Sequence, residues 1–112
     1  MNPLVSIVVP SYRSRKTIFK ALDSFVSQET TVPYEIIVVD STPGNLHLEI
    51  KERYPSIEVI HKKERTFQGA ARNIGIRKAA GEIILFLDAD IIAETKLIDK
   101  IVHEVINKNH SV

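Results

Sequence analysis

The sequence predicts an α/β fold, a three-layer α/β/α arrangement built on a mainly parallel sheet. Three observations predict it. Short β-branched apolar runs recur along the chain, and each is followed by a segment with helical spacing, giving the order β-α-β-α-β-α-β-α. The runs are apolar throughout, as strands covered on both faces are. Three of the runs end in polar clusters, and a parallel sheet gathers such ends on one edge.

Each element has its local reason. Residues 4–9 form a short β-branched run closed by Pro10, a buried strand. Ser14 is placed to cap the helix that follows, in which Ile18, Leu22, Phe25 and Val26 recur at helical spacing. Pro33 opens a second strand over residues 34–39, which ends at Asp40. Thr42-Pro43 reads as a helix start, with proline at the first helical position, and Leu46, Ile50 and Tyr54 supply one apolar face. Residues 57–60 form a weaker third strand, and "HKKERTF" is a charged loop. Residues 68–80 read as a helix stopped by Gly81. A fourth strand spans residues 82–87. An amphipathic helix then runs from about Glu94 to Asn107 on Leu97, Ile98, Ile101, Val102, Val105 and Ile106, with residues 108–112 frayed.

Composition bounds the function. The chain has 112 residues, which predicts one domain over residues 1–112 with a single core. Formal net charge is +1 with 26% charged residues, so nothing calls for nucleic acid as a partner. Cysteine is absent, which excludes disulfides, thiolate zinc sites and cysteine nucleophiles. The start, "MNPLVSIVVPSY", lacks the basic leader and cleavage site of a signal peptide, and every apolar run is far shorter than the ~20 residues of a membrane helix. A cytoplasmic protein, or one peripheral to the cytoplasmic membrane face, is expected.

The strand ends carry the candidate chemistry. Strand one ends in Pro10-Ser11-Tyr12, strand two in Asp40-Ser41-Thr42, strand four in Asp88-Ala89-Asp90. Asp88 and Asp90 can converge on a hard cation, which takes oxygen ligands, or Asp88 caps the turn and Asp90 is solvated. Arg72 and Asn73 lie early in the third helix, suited to an anion, or Arg72 is a surface residue on a helix kept thin by Gly69, Ala70 and Ala71. Gly75, mid-helix, costs about 1 kcal/mol relative to alanine unless close packing requires it. Tyr12 and Asp40 can stack on and hydrogen-bond a planar base, or they are a turn aromatic and a helix cap. His47, His61, His103 and His110 share no metal spacing, and His61, ending strand three at the ligand edge, touches a nucleotide or is a plain loop histidine. Arg13, Arg15 and Lys16, and the group Lys62, Lys63 and Arg65, read as solvated faces.

Taken together these segments resemble the nucleotide-binding half of family 2 glycosyltransferases, of the GT-A fold. "VSIVVPSYRSRKTIFKALDSFVSQ" is similar to the opening strand, Pro-x-Tyr turn and first helix, "YEIIVVDST" to the second strand with its aspartate, and "GAARNIGIRKAAGEIILFLDAD" to the Arg-Asn-x-Gly helix, Ala-x-Gly-Glu turn and Asp-x-Asp motif. The resemblance implies roles. Tyr12 flanks the base, with Pro10 and Ser11 shaping that wall. Asp40 accepts a hydrogen bond from the base, and Arg72 contacts the base or diphosphate. Asp88 lies near ribose and metal, and Asp90 is the main ligand of a divalent cation, Mg²⁺ or Mn²⁺. The pattern departs from the family at Arg13, commonly asparagine, and at Ser41-Thr42-Pro43, commonly a second aspartate and a glycine.

The implied partners are a nucleotide-diphospho-sugar donor, UDP-linked if the resemblance carries over, and a glycan or lipid-linked acceptor. No residue matches the family's general base, and Glu94 and Glu104 fit solvated helix faces, so a GT-A domain cut after the Asp-x-Asp motif is expected, binding donor without its acceptor half. A homo-oligomer covering an exposed sheet edge is one expected remedy. The alternative is a non-catalytic nucleotide-binding or structural remnant of the same fold. A haloacid-dehalogenase phosphatase is disfavoured by Ile92 and by a motif on the fourth strand, and a dinucleotide fold by the lack of glycine in "PSYRSR".

Overall fold

The computed structural model describes residues 2–110. Elements alternate as the periodicity requires: β1 (Val5–Ser11), α1 (Ile18–Val26), β2 (Tyr34–Asp40), α2 (Leu46–Arg53), β3 (Glu58–His61), α3 (Gln68–Lys78), β4 (Ile83–Phe86) and α4 (Leu97–His110). The sheet is parallel throughout, in the order β3-β2-β1-β4. β1 and β2 carry the centre, and their residues 5–9 and 36–40 are buried on both faces, which explains the unbroken apolar runs.

Side-chain alternation assigns the layers. Val5, Ile7 and Val9 of β1 and Ile36 and Val38 of β2 pack against Ile18, Leu22 and Phe25 of α1, Leu46 and Ile50 of α2, and Ile98 and Val102 of α4. Ile37 and Val39 point the other way, onto Ala71 and Ile74 of α3. Three helices therefore cover one face and α3 alone the other. Gly75 is what lets α3 sit there: a Cβ on it would fall 2.3 Å from Val8 Cγ1. The packing offsets glycine's poor helix propensity.

Several boundaries differ from the periodic reading, each for a tertiary reason. β1 continues through Pro10 to Ser11, since parallel pairing with Val39 and Asp40 extends it. Ser14 starts a turn through its carbonyl, which accepts Thr17 N and Ile18 N at 3.0 and 2.8 Å, and its hydroxyl does not cap α1. Thr42-Pro43 is not a helix start. Gly44, at φ 98°, turns the chain first, and α2 begins at Leu46. α3 ends at Lys78 with Ala79 in extended backbone, and Gly81 is no left-handed cap. A Cβ on Gly81 would lie 2.6 Å from Ser6 Oγ and 2.8 Å from Ser6 N, so glycine is needed for close approach to β1. α4 starts later than expected and its helix includes residues 108–110, while residues 111–112 lie outside the described residues. Among the described residues no helix is long and apolar enough to cross a membrane.

The chain steps from β1 to β2 to β3 in one direction, then crosses to β4 on the other side of β1. The reversal makes the carboxyl ends of β1 and β4 the topological switch point, where open parallel sheets bind ligands.

Candidate functional site

A hollow of about 540 Å³ opens at that switch point. Pro10, Ser11, Tyr12, Arg13 and Ser14 form one wall, Asp88, Ala89 and Asp90 another, and Arg65, Thr66, Phe67 and Gln68 the rim before and at the start of α3. Its size suits a small organic ligand, and its lining is mostly polar and charged.

The β4 wall is a turn. Leu87 N still donates to Val8 O at 3.1 Å, which holds the strand end against β1, and Ile91 N then donates to the Asp88 carbonyl at 3.2 Å. Ala89 is buried, which leaves the half-buried Asp88 and the exposed Asp90 to face the hollow. The Asp88 carboxylate does not cap this turn: its Oδ1 accepts a 2.7 Å hydrogen bond from Gln68 Nε2 at the start of α3. Two carboxylates on one lip supply oxygen donors of the kind a hard cation takes, with phosphate and water completing its shell. The donor set fits Mg²⁺ or Mn²⁺.

The β1 wall is held by cross-links to the end of β2. Ser41 N donates to Ser11 O at 3.0 Å, and Arg13 N donates to Thr42 Oγ1 at 2.7 Å. The second bond holds Arg13 at φ 53°, a left-handed conformation uncommon for a residue with a side chain. Tyr12 lies at the centre of a cation–aromatic arrangement. The Arg65 guanidinium sits 4.3 Å from the Tyr12 ring centroid and 4.5 Å from that of Phe67, between the two rings. Arg13 Nε donates to the Tyr12 hydroxyl at 3.0 Å. This hydrogen bond, with the charges of Arg13 and Arg65, holds the Tyr12 phenol below its ordinary range.

The candidate residues thus divide. Pro10, Ser11, Tyr12, Asp88 and Asp90 face one hollow, while Asp40 and Arg72 do not line it. Asp40 is fully buried one layer behind Ser11, where its Oδ1 accepts from Ser11 Oγ at 2.9 Å and from Thr42 Oγ1 at 2.7 Å. It caps no helix. Arg72 lies over Phe86, 5.2 Å from the ring centroid. Asp40 Oδ2 and Arg72 Nε are both buried without a protein hydrogen-bond partner.

The groups read as solvated faces are exposed, Arg13, Arg15, Lys16, Lys62, Lys63 and Arg65 alike, and some of them also make contacts. Arg65 is engaged between two rings, and its loop is anchored by Thr66 N donating to Ser41 Oγ at 2.9 Å. Phe67 and Gln68, absent from the sequence-derived site, complete the rim. The available signal was an arginine and an aromatic two residues apart immediately before a helix. Arg15 turns away and pairs with Glu49 on α2. His47 and His61, which share no metal spacing in sequence, are brought into a ring stack beside Asp40, with centroids 3.7 Å apart.

Comparisons with known proteins agree with this fold. The profile of the family described as Glycosyl transferase family 2 matches residues 6–112. A poly(ribitol-phosphate) beta-glucosyltransferase of Bacillus spizizenii is 43% identical over 97 residues, 77% of this chain and 14% of that protein. Glycosyltransferase AglE of Haloferax volcanii is 36% identical over 95 residues, 79% of this chain and 31% of that one. The crystal structure of S. aureus TarS 1–349 in complex with UDP superposes with a TM-score of 0.80 at 29% identity, covering 95% of this chain and 32% of that chain. A mannosyltransferase from Pyrobaculum calidifontis in complex with GDP-Man and Mn²⁺ gives a TM-score of 0.67 at 29% identity, over 80% of this chain and 28% of its own. The chain therefore spans about a third or less of these proteins.

Proposed function

The chain belongs to glycosyl transferase family 2, and from that premise we propose that it binds the nucleotide-diphospho-sugar donor of a sugar transfer to an acceptor hydroxyl. The observation that carries the reading is the convergence of Pro10, Ser11 and Tyr12 with Asp88 and Asp90 on one hollow at the β1–β4 switch point. A nucleoside diphosphate has the matching parts: a planar base for Tyr12, and an anionic diphosphate that a cation can join to a carboxylate lip.

In this reading Tyr12 flanks the base and Pro10 and Ser11 form the wall beside it. Asp40 and Arg72 bring one buried unpartnered acceptor and one buried unpartnered donor. The edge of a uracil, an N–H between two carbonyls, has complementary groups, which favours a UDP-linked donor. Asp40 has no exposed surface and its Oδ2 lies 3.8 Å from His61 Nδ1, so contact with a base requires its surroundings to shift. Asp90, with Asp88 beside it and held by Gln68, would ligate the divalent cation. The cation, Mg²⁺ or Mn²⁺, would neutralise charge on the departing diphosphate. Deprotonation of the acceptor hydroxyl needs a base that none of the hollow's carboxylates is assigned here, so the 1–112 unit is proposed as donor-binding, with a glycan or lipid-linked acceptor engaged elsewhere in the enzyme. A homo-oligomer covering the free edge of β4 belongs to the same proposal, and a concentration-independent monomer in ultracentrifugation would overturn that part.

The test is calorimetric titration of UDP with Mn²⁺, then with EDTA, on the wild type and on Asp90→Asn. Binding that requires the ion and that Asp90→Asn abolishes is the expected result. Absence of both heat and thermal stabilisation, at UDP concentrations where even a ~1 mM site would raise stability, overturns the reading in favour of a structural remnant of the fold.

A further inference from the structure

Behind the β1 wall lies a second cluster, of which the nucleotide reading uses only Asp40. Parallel pairing sets Asp40, the last residue of β2, directly beside His61, the last residue of β3. The turn at Gly44 then brings His47, in the first turn of α2, over the same point, where its ring stacks on that of His61 at an interplanar angle of 14°. Asp40 Oδ2, His47 Nδ1 and His61 Nδ1 are each buried with no protein hydrogen-bond partner. One donor atom from each residue lies within 4.8 Å of the others. His61 Nδ1 stands 3.8 Å from Asp40 Oδ2, too far for a hydrogen bond.

Buried unpartnered polar atoms are rare and costly, and three in one place need a common explanation. We propose that Asp40, His47 and His61 form a binding site for a borderline divalent transition ion such as Zn²⁺, distinct from the hard-cation lip at Asp88 and Asp90. Two imidazoles and a carboxylate are the donor set of three-ligand zinc sites, which leave a further position for water, whereas Mg²⁺ prefers oxygen throughout. The carboxylate is already oriented. Ser11 Oγ and Thr42 Oγ1 both occupy Oδ1, which leaves Oδ2 to the ion. The histidine rings are stacked, so binding requires one ring to rotate about its side-chain bonds. That rotation brings the donors to roughly 3.4 Å apart, the spacing set by bonds of about 2.1 Å to a tetrahedral ion. Oδ2 serves one ligand at a time, so ion and base compete for it. The measurement below contains no nucleotide, and so stands whether or not the chain binds one.

The experiment is a titration of the tag-free 112-residue chain with Co²⁺ at neutral pH, followed by visible absorption, and then displacement by Zn²⁺. The expected result is one equivalent of Co²⁺ with ligand-field bands, displaced by one equivalent of Zn²⁺. His47→Gln and His61→Gln should each weaken binding by more than about tenfold, since loss of a mere supporting partner already costs about 10–100-fold. Asp88→Asn, Asp90→Asn and His103→Gln should leave the bands unchanged. His47→Phe keeps an aromatic ring over His61 while removing the donor. Loss of the bands in that variant, with an unchanged far-ultraviolet circular dichroism spectrum, supports ligation over loss of folding. Unchanged Co²⁺ affinity in both histidine variants, or no bands up to about 1 mM ion, overturns the site.

Discussion

The two ends of the sheet are built on opposite terms. At the amino end, Ser6 is fully buried and its hydroxyl is used twice: it donates to Glu35 Oε2 at 2.6 Å and accepts from Gly81 N at 2.8 Å. Glu35 Oε2 also accepts from Ala80 N at 2.7 Å. That knot ties β1, β2 and the α3–β4 turn together. At the carboxyl end lie the buried polar atoms without protein partners, on Asp40, His47, His61 and Arg72, together with the left-handed Arg13 and the acidic lip. A polar group that folding leaves unmatched is a stability cost, and proteins tolerate it where a ligand supplies the match. The comparison teaches that one end holds the fold and the other waits for chemistry.

The comparison can be broken first at Gly81. Gly81→Val drives a side chain into the backbone of β1, and a loss of about 3 kcal/mol is expected, roughly 10–15 °C in Tm, with UDP affinity of the folded protein unchanged. The reverse pattern is expected of Asp90→Asn at the carboxyl end. Ion-dependent UDP binding should be lost by calorimetry, a fall of at least about 100-fold or ~2.7 kcal/mol, with little change in Tm because Asp90 is exposed. Ser6→Ala leaves Gly81 N without its acceptor and should cost about 1–2 kcal/mol in denaturant unfolding, again without a change in UDP affinity. Arg65→Ala uncovers the Tyr12 ring, so uridine should bind about 2–5-fold more tightly, in keeping with the ~0.5–1 kcal/mol of an exposed cation–π contact.

Titration of the tyrosines sharpens the contrast with the smallest effect. Burial and then the hydrogen bond with Asp23 push Tyr54 up to about 12, and burial raises Tyr34 at the start of β2. Arg13 lowers Tyr12. Phenolate absorbance should therefore appear first from Tyr12, and Tyr12→Phe should remove that earliest step. For Tyr54 the folded value lies above the unfolded one, near 10. Its contribution to stability is thus complete below pH ~10 and is lost as pH rises through about 12.

Much of this was legible in the chain. The β-branched runs, the helical spacing between them and the polar residues at strand ends are local patterns, and parallel topology alone puts Tyr12 and Asp88–Asp90 on one edge. The packing role of Gly75 was legible too, because a mid-helix glycine needs a reason. What was not legible depended on partners distant in sequence. Gly81 looked like a helix stop and is a close-approach glycine against Ser6. Thr42 looked like a helix start, and its hydroxyl instead bridges Arg13 N and Asp40. The histidines had no common spacing.

The sequence by itself determined the order of elements, the apolar faces and which strand ends carry acid and aromatic groups, because periodicity and chain direction are local properties. The tertiary structure decided the rest. Strand order put the switch point between β1 and β4, register set Asp40 beside His61, and loop closure folded His47 onto that pair and Arg65 between Tyr12 and Phe67. The physical reason is that these juxtapositions arise from long-range pairing and packing, in which a residue's neighbours are chosen by the whole core and leave no period in the chain.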